Sequence, residues 1–141
     1  MFHRSLVLAG VAVMFVGSAS AATVKYHATL AASSEVPPST STGSGEANAS
    51  LDSATHELTY DVTFKGFTSA VTAAHIHGPA AAGKNAGVVM PLGTAPTSPI
   101  HGSAKLTEAQ EKELAAGEYY VNVHTKNNPN GAIRGQLTAM K

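Results

Sequence analysis

Thr23-Val24-Lys25-Tyr26-His27-Ala28-Thr29-Leu30-Ala31 alternates residue by residue, with Val24, Tyr26, Ala28 and Leu30 on one side and Lys25, His27 and Thr29 on the other. A period of two sends successive side chains to opposite faces of an extended chain, so this stretch reads as a half-buried strand. The same pattern returns at His56 to Phe64, with Leu58, Tyr60, Val62 and Phe64 on one side. Between the two, Ser33 to Gly45 is loop-like, rich in Ser, Thr, Pro and Gly, and Glu46 to Leu51 is a weaker strand. Asp52-Ser53-Ala54-Thr55 turns that strand into the next as a hairpin.

Further strands are predicted at Val71 to His77, Val88 to Leu92, Ile100 to Leu106, Glu118 to Thr125 and Ala132 to Met140. The last two are joined by Lys126-Asn127-Asn128-Pro129-Asn130-Gly131, where Asn130-Gly131 suits positive φ. One short helix is predicted near 107–116. Thr107 caps it, Gln110 completes a capping box, and Gly117 closes it. Seven or eight short strands, one small helix and no βαβ rhythm predict an all-β fold, an antiparallel β-sandwich.

The first residues read differently. Met1-Phe2-His3-Arg4 is a short basic start, Leu6 to Val16 is apolar, and Ser18-Ala19-Ser20-Ala21 supplies small residues for cleavage. Residues 1–21 are therefore predicted to be a signal peptide, leaving 22–141 as one domain of periplasmic or secreted location. The apolar run is shorter than the roughly 20 residues a membrane span needs. Nine acidic residues balance nine basic ones, and no basic run occurs. Neither nucleic acid nor, after leader removal, a membrane is an expected partner. Cysteine is absent, which excludes disulfides, thiolate catalysis, iron–sulfur clusters and blue-copper sites.

Histidine remains as the ligand to consider. His75 and His77 lie two apart on a predicted strand and project from one face, while Ile76 turns to the other. His124 lies on a later strand, two residues beyond Asn122 and on its face, so Asn122 is an expected hydrogen-bond partner for a ligand ring. Three neutral imidazoles form a borderline donor set suited to copper, with zinc as the alternative. His27 and His56 are read as solvent-facing, and Arg134 as half of an ion pair with Glu118 or Glu46. No residue is assigned a catalytic role. There is no nucleophile elbow, no phosphate loop and no carboxylate pair in a catalytic setting.

Several stretches resemble the CHRD family: Ala74-His75-Ile76-His77-Gly78-Pro79-Ala80, Gly87-Val88-Val89, Leu106-Thr107, Gly117 to Thr125, and Asn128 to Leu137. The chain departs from that pattern at Ala132, where members often carry an acidic residue. The resemblance implies a Greek-key sandwich, immunoglobulin-like or related, in an exported protein, and little chemistry. A weaker likeness is to the copper–zinc superoxide dismutase sandwich. His75, His77 and His124 follow the order of three copper ligands there, and His101 the order of the metal-bridging histidine, which makes His101 a candidate fourth ligand. No Cys pair and no later His and Asp series accompany them. Three functions follow as expectations: an exported copper-binding module for ion binding, buffering or delivery; an extracellular module that binds another exported protein through its sheet, with structural histidines; and a copper-only dismutase-like enzyme.

Overall fold

A computed structural model describes residues 17 and 20–141; the predicted signal peptide at 1–21 lies otherwise outside the described residues. The strands are β1 (Thr23–Ala31), β2 (Ser44–Asp52), β3 (Glu57–Lys65), β4 (Val71–His77), β5 (Val88–Thr94), β6 (Ile100–Lys105), β7 (Tyr120–Thr125), β8 (Ile133–Gln136) and β9 (Thr138–Ala139). One helix, α1 (Glu108–Ala115), precedes β7. Thr107 and Gln110 close the capping box at its start, and Gly117 follows its end at φ +75°.

The strands form one antiparallel sheet in the order β5-β4-β7-β8-β1-β2-β3-β6, with β9 beside β1. β5 and β6, the two ends of that path, lie against each other, so the sheet is nearly closed around one core. The predicted all-β, sandwich-like architecture is the one observed. Two long-range connections give it a Greek-key character: β3 leads across to β4, and α1 carries the chain from β6 back to β7.

Period-two alternation builds the interior. Tyr26, Ala28 and Leu30 of β1 meet Ala47, Ala49 and Leu51 of β2, Leu58 and Val62 of β3, Ile76 of β4 and Val121 and Val123 of β7. Leu114 is the only residue α1 buries, and it pins the helix to this cluster. β7, His124 excepted, and the first three residues of β8 are buried on both faces. The outer face of β7 is polar, and two loops cover it. That covered polar face is where the histidines lie.

Candidate metal centre

Register places the side chains in rows. His75 stands opposite Asn122, which stands opposite Arg134; His77 stands opposite Tyr120, which stands opposite Gln136; His124 stands opposite Ala73. Paired residues of antiparallel strands share a face, so His75, His77 and His124 all project outward from β4 and β7. Ile76, between the first two, is buried on the inner face and sets the roll of β4. The β4–β5 register shifts on either side of the His75–Ile76 pair, a local irregularity of the kind that re-aims side chains next to sites.

The three rings meet. Each offers one nitrogen, and the three nitrogens lie within 4.8 Å of one another. His75 Nδ1 is 3.0 Å from His124 Nε2. Two nitrogens bound at about 2.0–2.1 Å to one ion and at right angles stand about 2.9 Å apart, so this pair already has the spacing of two ligands. The third needs only a small movement to close on the same point.

Backbone carbonyls orient two of the rings. His77 Nδ1 is 3.0 Å from the Ala86 carbonyl, and His124 Nδ1 is 2.9 Å from the Pro129 carbonyl. A carbonyl only accepts, so each Nδ1 carries the proton and each Nε2 presents a lone pair. This is the arrangement by which proteins fix the tautomer of metal-bound histidine. His77 Nε2 is buried and has no hydrogen-bond partner. A buried polar atom left unpaired costs about 1–3 kcal/mol, and a cation would satisfy it. Burial, followed by the charges of the neighbouring rings, holds His75 below the ordinary histidine range. Burial likewise dominates in holding His77 below it, against the opposing bond to Ala86. Both are therefore neutral, and ready to ligate, at neutral pH.

Other expected residues fall elsewhere. His101 is not in the group: it stands on β6 with Nδ1 2.7 Å from Asp61 Oδ2, largely exposed. The order along the chain that recommended it does not survive the sheet topology, because β6 ladders with β3. Asn122 is buried beside the histidines but bonds none of them; its Nδ2 donates to Glu35 Oε1 and to the Ile133 carbonyl. Arg134 pairs with no carboxylate among the described residues. Its guanidinium lies 3.6 Å from the Tyr120 ring centroid and donates to Asn85 Oδ1 and the Lys84 carbonyl. Tyr120 in turn stacks on His77, with centroids 4.9 Å apart. Tyr119 and Tyr120 are both buried, Tyr120 being covered from outside by the loop before β5.

Glu35 was not visible as a site residue. It sits in the loop after β1, 6% exposed, against the backbone of Gly131, whose φ is +132°; a Cβ there would lie 2.6 Å from the Glu35 carboxylate. Burial pushes its pKa up to about 7, against the lowering effects of Asn122 and Arg134. A carboxyl whose folded pKa exceeds its unfolded value of 4.5 holds its proton longer in the fold. Its contribution is therefore complete below pH 4.5 and declines as pH rises to about 7. Glu35→Gln carries no such ionisation. The stability of the wild type relative to this variant is expected to fall by about 3 kcal/mol between pH 4.5 and 8, measured by urea unfolding at each pH. A flat difference would mean that the carboxyl is solvated.

Among the described residues no helix is long and apolar enough to cross a membrane. Comparison of the chain with curated proteins and with solved structures finds no match in either set. The CHRD domain model matches residues 26–137, a span that runs from Tyr26 of β1 through both histidine strands to Leu137 beyond β8, and the chain belongs to that family.

Proposed function

We propose that this CHRD domain is an exported metal-binding module that holds one divalent ion through His75, His77 and His124, for binding, buffering or delivery of the ion outside the cytoplasm. The observation that carries the reading is the buried, unpartnered Nε2 of His77 beside two further imidazoles. Imidazole ligates as an uncharged donor, so the ion keeps its positive charge. Divalent copper is preferred over zinc on intrinsic affinity for such a set. Family membership accords with a protein that works outside the cell.

A second reading is favoured by the same hydrogen bonds. His77 and His124 staple two loops to the sheet, as structural histidines of a protein-interaction module would. Thermal unfolding separates the two. At about a hundred times its Kd, Cu(II) stabilises a protein that binds it only when folded by about 2.7 kcal/mol, or about 10 °C for a domain of this size. Protons compete for the imidazoles, and the lowered ranges of His75 and His77 delay that competition at those two rings. The stabilisation is expected to fall as pH drops through about 6.5 and to vanish on further acidification. No shift at neutral pH favours the structural reading, and a shift that persists at pH 4.5 points to carboxylates.

A further inference from the structure

The connection between β4 and β5, residues 78–87, is a strap laid over the outer face of the sheet. Its middle, Ala81 to Asn85, is exposed throughout and carries no buried side chain. Apolar burial therefore does not hold it down. Polar clamps do. Gln136 Nε2 donates to the Ala80 carbonyl at 2.7 Å, and Arg134 to the Lys84 carbonyl and to Asn85 Oδ1. Tyr120 Oη exchanges hydrogen bonds with the Ala86 N–H and carbonyl, at 3.1 and 3.2 Å. Asn85 Nδ2 reaches over to the Val36 carbonyl, tying the strap to the loop that carries Glu35. His77 Nδ1 adds a clamp on the Ala86 carbonyl, and backbone bonds from Ala80 N–H to the Glu118 carbonyl and from Gly78 N–H to the Gly87 carbonyl fix the strap's ends.

His77 thus has one nitrogen on the strap and the other among the histidines. We propose that the strap is a metal-responsive latch, in which an ion on His77 Nε2 locks residues 78–87 onto the sheet and its loss releases them. The proposal rests on the metal-binding reading and adds the coupling. In the empty protein only the bond to the Ala86 carbonyl, worth about 1 kcal/mol, selects the tautomer of His77 protonated at Nδ1, so the Nε2–H form is a minor species. The form protonated at Nε2 faces the Ala86 carbonyl with a lone pair, and that clamp is lost. An ion at Nε2 forbids that tautomer and makes Nδ1–H a stronger donor. Each neutral clamp is worth about 1 kcal/mol, so a strap with no apolar anchor responds to the loss of one. Coupling is reciprocal: the seated strap holds the His77 ring in its ligating pose and tightens the ion.

Lys84 supplies the readout, since it is exposed at the middle of the strap. The full exported chain is digested with trypsin with and without one equivalent of Cu(II), the bound copper is counted by mass spectrometry, and cleavage after Lys84 is compared with cleavage after Lys65 at the end of β3. Copper is expected to slow the Lys84 cut about tenfold and the Lys65 cut less than twofold. The double variant Asn85→Ala, Gln136→Ala keeps all three imidazoles. It is expected to bind copper about fivefold more weakly and to be cut quickly at Lys84 even when loaded. One bound copper with an unchanged Lys84 rate overturns the latch and leaves the metal site standing. No bound copper removes both.

Discussion

Replacing His75, His77 or His124 singly by alanine is expected to lower Cu(II) affinity by about a hundredfold or more in each case. Losing only an outer partner of a metal-bound histidine costs about 10–100-fold, and losing the donor itself costs at least that. The three variants should not behave alike in stability. His77→Ala removes a buried atom without a partner and also the clamp on Ala86, two opposing effects on the empty protein. His124→Ala frees the Pro129 carbonyl at an exposed position and takes away the partner of His75 Nδ1, and is expected to cost about 1 kcal/mol without metal. His101→Ala is the control. Its ring is engaged with Asp61, and copper binding is expected to be unchanged. Competition titration against a chelator of known affinity measures all four.

The largest expected loss of stability comes from a residue without a side chain. Gly135 lies in β8 opposite Val121, and a Cβ built on it would stand 2.2 Å from the Thr29 carbonyl oxygen and 2.9 Å from Leu30. The first of these is backbone of β1 and cannot rotate aside. β8 meets β1 in register only at Ala31–Arg134, so the sheet continues from one half to the other through a close approach rather than a long ladder. Gly135→Ala must push the two strands apart there, and Arg134, next in the chain, would move with it. The expected cost is about 3 kcal/mol or more, within the range for overpacking plus loss of adjoining hydrogen bonds. Urea unfolding of the metal-free variant measures it. A loss under about 1 kcal/mol would show that β8 accommodates the methyl by a simple shift.

Much of this fold could be read from alternation, because β1 and β3 are half-buried strands whose inner and outer residues differ in polarity. The helix was equally readable, since its capping box is local chemistry between Thr107 and Gln110. β7 was harder. Tyr120, Asn122 and Arg134 look like outward-facing polar positions, yet all three are buried because loops distant in sequence close over them. No local pattern encodes that cover. Of the site, the His75–His77 pair was visible as spacing on a strand, and His124 as a strand histidine within a family motif. Their convergence depends on β4 and β7 being neighbours. His101 was misplaced for the same reason in reverse: similar order along the chain, different place in the sheet. Glu35 left no signal, because its bond to Asn122 spans 87 positions and its own surroundings are an unremarkable Ser- and Pro-rich loop.

Pulsed electron paramagnetic resonance on the chain exported without a polyhistidine tag and loaded with one equivalent of Cu(II) tests the metal centre most directly, because it counts the imidazoles bound to the ion. Three coupled imidazoles are expected in the wild type, two in His124→Ala and three in His101→Ala. A single coupled imidazole, or a wild-type spectrum indistinguishable from that of His124→Ala, would contradict the convergence of these three rings on one ion.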